Sequence, residues 1–413
     1  MKIVHVSGAT GGGAGIAACR LHAGLRALDV DSRVLVNKLS STDDYIVAPN
    51  GLFDKAVAEL VRRLDGVPGR LSSIQQDLYS SSLWPNRLIR RIDELSPDIV
   101  NLHWVNGGML RIESLPKIQA PVVWTLHDMW PFSGSEHYVG DCQRYQDGYL
   151  SSNRPIEETR LDVNRWIWKR KKKSWQQTKN LIIAAPSKWM AECASNSVLF
   201  GERRIEVLPN GLDHERFRPM DHAVVRRILG LPEDKKLILF GAGSATSDKR
   251  KGFHLLVEAL KKLETQVDSA DYELVVFGSS SGDTSFSMNT HYLGRLADEI
   301  SIALVYAAAD VFVAPSLEDN LPNTVLESLS CGTPVVAFNI GGFPDMVNHQ
   351  ENGYLAAGFD TAELANGLQW VLNDQQRWKK LSENARETVL SRFTLEHSAS
   401  RYRDLYEEIL DAG

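Results

Sequence analysis

The chain has 413 residues, of which 43% are hydrophobic and 24% are charged, and its formal net charge at pH 7 is -6. This composition excludes a disordered or collagen-like chain and provides enough apolar residues for large cores. The mildly acidic balance gives no overall attraction for nucleic acid, so nucleic acid is not an expected partner. The length favours two domains of about 200 residues each.

The sequence carries no sign of export or of membrane insertion. Its first residues enter a strand-like run without the apolar segment and cleavage site of a secretory signal, and no run of about 18 apolar residues occurs. The cysteines form no Cys-x-x-Cys pair and have no histidine at metal-ligand spacing. We therefore expect a cytoplasmic protein with four reduced thiols, Cys19, Cys142, Cys193 and Cys331.

Short β-branched runs alternate with helical stretches along the whole chain, which is typical of parallel sheets covered by helices. In the first half, the predicted strands are residues 3–7, 33–37, 98–103, 122–126, 181–185 and 205–208. In the second half, they are residues 237–241, 273–278, 311–314 and 334–338. The predicted fold class is therefore α/β, with two Rossmann-like doubly wound domains.

Helices and turns between these strands define the domain organisation. Apolar residues at helical spacing predict one helix that opens near Ala14 and another after Gly252. Turn-forming residues at 209–211 mark the boundary between domains 1–209 and 210–394, with a linker of about 209–219. A last helix, 395–410, carries Tyr402, Leu405, Tyr406 and Leu410 on one face. We expect the segment 395–413 to pack back on the first domain.

A glycine-rich turn, residues 8–15, follows the first strand and opens a helix. Glycine lets a backbone approach phosphate or sugar closely, and the free N–H groups of a helix start attract anions. The spacing is not that of a dinucleotide fingerprint. Two interpretations remain open: Gly12 and Gly13 contact a ligand, or the segment is only a tight strand-to-helix turn.

The strongest functional signal lies between Pro315 and Pro334. In parallel sheets, ligands bind beyond the carboxyl ends of the strands, where this polar loop begins. We expect Pro322 in the first turn of a helix that begins after Asp319 or Asn320. Asp319 and Glu327 would then lie about two helical turns apart on one side, as carboxylates suited to paired ribose or sugar hydroxyls. The alternative is a solvated charged loop.

A basic segment and a strand-end histidine complete the candidate site. Arg250 and Lys251 precede a helix, and fixed cations there would stabilise the charge of a leaving diphosphate; the alternative is an exposed basic loop. His127 follows the predicted strand 122–126, where a role in ligand contact competes with a structural one. His103 and Trp104 end another strand and are candidates for the acceptor side.

These segments together resemble the family 4 glycosyltransferases, which are retaining enzymes of GT-B fold that use nucleotide-sugars. The resemblance spans nearly the whole chain and rests on motifs at residues 125–128, 207–213, 250–253, 306–310 and 315–336. It implies two domains that face each other across a cleft, a UDP- or GDP-sugar donor, and a saccharide or lipid-linked acceptor in polysaccharide or glycoconjugate biosynthesis. No obligatory metal or cofactor is expected.

The resemblance also implies roles for individual residues. Glu327 is expected to hold the donor ribose, and Asp319, with the backbone near Asn320 and Leu321, to contact the donor sugar. Lys251 matches the phosphate-binding lysine of the family. The family has glutamate where this chain has Asp319, so the reach of the first acid is about one methylene shorter, and a different sugar is one explanation.

Two further roles follow from the same comparison with the family. Thr246 occupies the place of a family arginine, and we expect Arg250 to substitute for it. His127 is expected to bind the transferred sugar or to orient the acceptor. The other two residues expected to be catalytic are Lys251 and Asp319. Retention is then expected to proceed by front-face attack, in which the leaving phosphate takes the acceptor proton, as is proposed for the family.

Other features leave alternatives open. The helical segment 165–175 mixes cations with tryptophans, which suits either peripheral contact with the inner face of a membrane or a covering helix with inward tryptophans and solvated lysines. Asp29-Val30-Asp31 resembles a metal-binding motif, but we interpret it as coincidence. A subgroup of the family has a cysteine where this chain has Glu136, so no metal or disulfide site is expected there. The alternative functions are a nucleotide-sugar epimerase and a non-catalytic sugar-nucleotide-binding protein.

Overall fold

The structure, a computed structural model, describes residues 1–38, 43–49, 51–70, 79–243, 245–282 and 285–412. Its internal contacts divide the chain into two compact units. The first unit contains Met1–Pro209 and Ser398–Gly413, and the second contains Asn210–His397. The chain thus changes unit at the predicted turn after Pro209 and returns at Ser398, three residues after the start of the last helix.

The first unit is built on a seven-stranded sheet with the strand order β3-β2-β1-β4-β5-β6-β7, in which every pairing is parallel. The central strands are almost entirely buried because helices cover both faces of such a sheet. The strands are β1 (Lys2–Ala9), β2 (Asp31–Lys38), β3 (Ile46–Val47), β4 (Ile99–Leu102), β5 (Val122–Thr125), β6 (Leu181–Ala185) and β7 (Ile205–Val207).

The second unit is built on a six-stranded sheet, also parallel in every pairing, with the order β10-β9-β8-β11-β12-β13. This is the doubly wound order in which the topology reverses next to the first strand of the unit. The strands are β8 (Lys236–Gly241), β9 (Tyr272–Phe277), β10 (Asn289–Gly294), β11 (Val311–Ala314), β12 (Val335–Phe338) and β13 (Gly353–Ala356).

Helices connect the strands of both sheets. Those of the first unit are α1 (Gly12–Ala27), α2 (Leu52–Asp65), α3 (Val67–Arg70), α4 (Leu88–Leu95), α5 (Arg144–Asp147), α6 (Val163–Trp175) and α7 (Lys188–Ser195). Those that follow are α8 (His222–Leu229), α9 (Phe253–Leu263), α10 (Glu299–Ala308), α11 (Asn323–Ser330), α12 (Thr361–Leu372), α13 (Gln375–Arg392) and α14 (Leu395–Asp411).

All ten predicted strands are present, and three others within the described ranges were missed. The missed strands are β3, β10 and β13, and each lies at the edge of its sheet. β10 reads Asn-Thr-His-Tyr-Leu-Gly, and its residues are exposed or half-buried, so it lacks the continuous apolar run that marks a central strand. β3 contains only two residues. Edge strands therefore account for the shortfall.

The last helix, α14, packs on the first unit, as predicted. Tyr406 accepts a hydrogen bond of 2.6 Å from Asn101, and Tyr402 shares one of 3.0 Å with Thr125. Both tyrosines are buried, and burial raises the pKa of Tyr402 and of Tyr406 above the usual value. The prediction for Leu410 was wrong, since its side chain is exposed. The apolar face of α14 continues through the half-buried Ile409 instead.

None of the four cysteines is paired in a disulfide. None of the helices in the described part of the chain combines the length and the apolar character that a membrane crossing requires.

Candidate functional site

The second unit holds a compact group of two cations and one carboxylate beyond the end of β11. Lys251 Nζ lies 2.6 Å from Asp319 Oδ2, and Arg250 Nη1 lies 3.4 Å from the same oxygen. Burial by itself would raise the pKa of Asp319, but Lys251 and Arg250 outweigh that effect and lower it. Asp319 is therefore an ionised, buried carboxylate that two cations hold in place.

Close backbone contact fixes the basic segment against the loop that follows β11. Gly252 has a positive φ of 73°, and a Cβ at this position would lie 1.8 Å from the carbonyl oxygen of Pro315. Leu317 N–H donates to the carbonyl oxygen of Arg250 at 2.8 Å, and the Arg250 guanidinium donates to the Glu318 carbonyl at 2.9 Å. Only glycine permits this approach, which brings Lys251 within reach of Asp319.

The helix after this loop begins later than predicted. α11 starts at Asn323, and Pro322 precedes it with an extended backbone, φ −64° and ψ 122°. A residue before proline is disfavoured in the helical region, so Leu321 cannot begin the helix. Asp319 therefore lies in the loop, and the prediction that Asp319 and Glu327 lie two turns apart on one helix was wrong.

Glu327 lies inside α11 and is buried. The hydroxyl group of Tyr306 is 3.4 Å from Glu327 Oε2, and the Tyr306 ring packs edge-on against Phe277 and Phe312. The motif at 306–310 thus contains a tyrosine that contacts the candidate ligand-binding acid. Asp310, at the other end of the motif, bonds Arg226 at 2.8 Å and the backbone N–H of Leu237 at 2.6 Å, so its role is structural.

Asn320 and Thr246 complete the surroundings of Asp319. The backbone N–H of Asn320 donates to Asp319 Oδ1 at 3.2 Å, and the carbonyl oxygen of Asp319 accepts from Gly342 N–H at 3.1 Å. Thr246 is directed elsewhere, because its hydroxyl bonds Ser279 at 2.7 Å. Of these two residues, Arg250 rather than Thr246 reaches the carboxylate, as expected if Arg250 substitutes for the family arginine.

The glycine-rich turn contains glycines of two kinds. A Cβ on Gly15 would lie 2.4 Å from the carbonyl oxygen of Ala9, so Gly15 allows α1 to pack closely on β1. A Cβ on Gly12 or Gly13 would meet nothing within 4 Å, and both residues are exposed. Gly12 also has a positive φ of 74°. The segment therefore combines a tight strand-to-helix turn with an exposed surface, and neither interpretation is excluded.

In the first unit, the predicted histidines are neighbours. His103 Nδ1 lies 2.9 Å from His127 Nε2, and His103 Nε2 lies 3.0 Å from His5 Nδ1. His103 is buried, so it contacts His127 rather than lining an open surface. Burial lowers the pKa of His127 to about 4, although Asp128 opposes the shift, and it lowers the pKa of His5 to about 3. The role of His5 was not predicted.

A second buried network holds the segment after His127. Asp128 Oδ2 lies 2.5 Å from His137 Nδ1, and Ser80 and Asn106 each approach His137 Nε2 at 3.1 Å. The Trp104 ring lies 5.8 Å from the His137 ring, centroid to centroid. Because the Asn106 amide nitrogen Nδ2 can only donate, Nε2 is the bare nitrogen of His137 and Nδ1–H donates to Asp128. This network was missed, since its members are distant in sequence.

The helix with mixed cations and tryptophans, α6, is mainly a covering helix. Trp168 and Trp175 are buried, as the covering interpretation predicts, whereas Trp166 is exposed. Lys171 contradicts the prediction of solvated lysines, because it is buried and its Nζ donates to the carbonyl oxygens of Trp130, Ser133 and Gly134. The loop at residues 130–134 wraps this lysine, so the lysine stabilises the fold of the loop.

The described residues contain no cluster of three or more histidine, cysteine, aspartate or glutamate side chains that could hold a metal ion. Glu136, for which no metal or disulfide site was expected, is buried and accepts a hydrogen bond from Tyr149 at 2.5 Å. Burial raises the pKa of Glu136.

Two family models match successive parts of the chain. The model described as Glycosyltransferase Family 4 matches residues 11–216, and the model described as Glycosyl transferases group 1 matches residues 221–388. A D-inositol 3-phosphate glycosyltransferase of Corynebacterium jeikeium is 31% identical over 341 residues, which are 78% of this chain and 75% of that protein. The match to a protein of the same name from Stackebrandtia nassauensis, 32% identical over 224 residues, covers 50% of this chain and spans only about half, 49%, of that relative.

Two solved structures share the fold over nearly the whole chain. Sucrose-phosphate synthase from Thermosynechococcus elongatus has a TM-score of 0.70 at 19% identity, and the match covers 100% of both chains. Anabaena HepE in complex with UDP-glucose has a TM-score of 0.63 at 17% identity, and the match covers 99% of this chain and 100% of that one. These similarities confirm the predicted fold of two Rossmann-like domains.

Proposed function

The chain belongs to the family 4 glycosyltransferases, and we propose that it transfers a sugar from a UDP- or GDP-sugar to a hydroxyl group of a saccharide or lipid-linked acceptor. The observation that carries the proposal is the contact of Lys251 and Arg250 with one buried carboxylate, Asp319, beyond the end of β11. This combination supplies cations that can bind a diphosphate and a carboxylate oxygen that can accept a hydrogen bond from a sugar hydroxyl. The UDP-glucose complex of HepE supports a uridine nucleotide as the donor.

In the proposed reaction, the bond between the anomeric carbon and the β-phosphate oxygen breaks while a bond to the acceptor oxygen forms. The acceptor proton passes to the leaving diphosphate, and the configuration of the anomeric carbon is retained. The negative charge that grows on the diphosphate needs fixed cations more than an acid or base on the protein. We assign this stabilisation to Lys251 and Arg250.

Donor binding uses the segments around these cations. Glu327 accepts hydrogen bonds from the ribose hydroxyls, and Tyr306 keeps its side chain in position. Asp319, with the backbone near Asn320 and Leu321, contacts the sugar. We assign Gly12 and Gly13 a further contact with the donor, since the space around them is open.

On the acceptor side, His127 and Trp104 are the partly exposed candidates. His103 is buried and acts through His127. D-inositol 3-phosphate glycosyltransferases are among the relatives, so free cyclitol phosphates belong in the acceptor panel together with saccharides and lipid-linked sugars. The proposed biological role is the synthesis of a polysaccharide or glycoconjugate in the cytoplasm, without an obligatory metal ion.

Contact with a membrane surface is part of the proposal for a lipid-linked acceptor. Near the start of α6, three apolar side chains are exposed to solvent: Ile156 by 91%, Leu161 by 65% and Trp166 by 42%. Arg165 and the exposed Lys169 lie on the same helix. Apolar side chains flanked by cations suit an anionic lipid surface.

Co-sedimentation with vesicles tests this contact. Binding to vesicles with anionic lipid is expected to fall for Leu161→Ser and to persist for Ile228→Ser, which removes an equally exposed side chain from the other unit. Equal binding of both variants would show that this surface is not the membrane contact.

Turnover assays test the transfer reaction itself. The protein is incubated with each nucleotide-sugar, with and without the acceptor panel, and both free nucleotide and glycosylated product are measured. Nucleotide release that depends on an acceptor supports transfer, and NMR of the new glycosidic bond reports whether configuration is retained. Conversion of the nucleotide-sugar alone to an epimer, or no conversion with any pair, would reject the proposal.

A further inference from the structure

Three histidines of the first unit form a continuous chain of hydrogen bonds, which the proposed reaction alone does not explain. His5 Nδ1 lies 3.0 Å from His103 Nε2, and His103 Nδ1 lies 2.9 Å from His127 Nε2. Ring centroids of neighbours are 5.2 Å apart in both pairs. His5 and His103 are buried, whereas His127, at the outer end of this row of histidines, is partly exposed.

The hydrogen bonds of a neutral imidazole restrict where its proton can lie. The three rings are uncharged near pH 7, since burial lowers the pKa of His5 to about 3, of His103 well below its usual value, and of His127 to about 4. A neutral ring has one N–H donor and one bare acceptor nitrogen. His103 uses both of its nitrogens, so the two hydrogen bonds must run in the same direction along the chain.

His5, at the buried end of the row of histidines, decides in which direction the hydrogen bonds are donated. His5 Nε2 is buried and has no hydrogen-bond partner among the residues that the structure describes. If the protons pointed towards His5, this atom would be an unpaired N–H donor, whereas in the other direction it is an unused acceptor. Buried donors without a partner are rarer in proteins than under-used acceptors. The donors therefore point from His5 to His127.

We propose that His5 and His103 are positioning residues that keep the imidazole of His127 neutral and protonated on Nδ1. His127 Nε2 accepts the hydrogen bond from His103, so no bare nitrogen remains to act as a base. His127 instead presents an N–H donor to an oxygen of the bound sugar. The identity of this ligand rests on the proposed transfer function, but the position of the proton does not.

Nitrogen NMR tests the protonation pattern directly. In the full chain labelled with ¹⁵N-histidine, long-range correlation spectra separate protonated from bare ring nitrogens, and the signals of His127 are identified by their loss in His127→Asn. We expect Nδ1 of His127 to be protonated and Nε2 to be bare at pH 7, without any substrate. A proton on Nε2, or on both nitrogens, would overturn the inference.

Kinetics test the consequence for transfer. His127→Asn keeps an N–H donor near the position of Nδ1 and is expected to retain at least about tenfold more kcat than His127→Leu, since one hydrogen bond to substrate is at stake. His103→Leu should lower kcat without changing the affinity for free nucleotide. His222→Asn, which alters a partly buried histidine of the second unit, should leave kcat unchanged.

The two kinds of measurement separate the possible failures. If Asn and Leu at position 127 are equally impaired, His127 does not act as a donor and the inference fails. If no nucleotide-sugar is converted but NMR finds His127 protonated on Nδ1, the proposed function fails while the positioning role of His5 and His103 stands.

Discussion

Lys251 and Asp319 form an ion pair, 2.6 Å between Nζ and Oδ2, even though each is proposed to contact a different part of the donor. Without the donor, each charge is the partner of the other. A diphosphate that approaches Lys251 competes with Asp319 for the ammonium group. A sugar hydroxyl that approaches Asp319 then donates a hydrogen bond in place of the contact with Lys251 that the carboxylate has lost. In the proposed donor complex, the pair would therefore couple recognition of the phosphates to recognition of the sugar.

Replacement of Lys251 by alanine is expected to lower kcat by roughly 100-fold or more, because a fixed charge at the leaving group is removed. Asp319 then still has Arg250 as a cationic neighbour. Steady-state kinetics with the best donor and acceptor measure the effect, and circular dichroism checks the fold. Lys172→Ala, on α6 of the other unit, is the matched control. Unchanged kcat in Lys251→Ala would remove this residue from the site.

Replacement of Asp319 by glutamate restores the acid that the family has at this position. Because the longer side chain moves the carboxylate by about one methylene, we expect the ratio of kcat/KM between competing sugars on the same nucleotide to change. The affinity for the free nucleotide should change less than this ratio, since the ribose contact belongs to Glu327 and Lys251 still has a carboxylate partner. Competition assays with pairs of nucleotide-sugars measure the ratio, and a change confined to free-nucleotide affinity would contradict the assignment.

Gly252→Ala is expected to destabilise the protein by about 2–4 kcal/mol, because the added Cβ would meet the Pro315 carbonyl at 1.8 Å and the backbone has φ +73°. Gly243→Ala is the control, since its Cβ would have no neighbour within 4 Å. Urea denaturation of both variants measures the difference. Equal free energies of unfolding would mean that the two loops do not need this contact.

The histidine chain predicts that stability falls as pH falls. The unfolded chain binds a proton at each histidine near pH 6.5, whereas folded His127 and His5 resist protonation until about pH 4 and about pH 3. As the pH falls from about 6.5 to about 4, each of these two histidines therefore lowers the free energy of unfolding by at most about 1.4 kcal/mol per pH unit.

Urea denaturation at several pH values measures this slope. His5→Gln removes one titrating group, so its free energy of unfolding should depend less on pH than that of the native sequence. The variant is compared with the native sequence because other groups also shift these pKa values. His22, which has Asp43 and Arg26 near it, acts on the pKa of His5, and Asp128 acts on the pKa of His127. An identical slope in both proteins would show that His5 does not resist protonation.

Much of the fold could be predicted because central parallel strands are continuous apolar runs and their helices keep a regular apolar spacing. The edge strands could not, since β10 is polar and half-buried and β3 has two residues. The start of α11 was misplaced because the favourable first-turn position of Pro322 was considered without the restriction that proline puts on Leu321.

The residues of the candidate site likewise include some that could be predicted from the sequence and others that could not. Lys251, Asp319 and Glu327 belong to local motifs that the sequence displays, and resemblance to the family gave them roles. The role of His5 depends on which strands become neighbours in the sheet, and the pairing of Asp128 with His137 depends on how the loop between them folds. No local pattern reveals either. Tyr306 was part of a recognised motif, but its contact with Glu327 appears only when α10 and α11 are placed.

The central claim is that the second unit binds a nucleotide-sugar through Glu327 and Lys251, and thermal unfolding with ligands tests it most directly. A panel of UDP, GDP, ADP, CMP and their sugar conjugates is added to the native sequence, to Glu327→Ala and to the control Glu387→Ala. A ligand at about 100 times its dissociation constant adds roughly 2.7 kcal/mol of stability. We predict that one nucleotide family stabilises the native and control proteins but not Glu327→Ala. Stabilisation by no nucleotide, or equal stabilisation of all three proteins, would contradict the account.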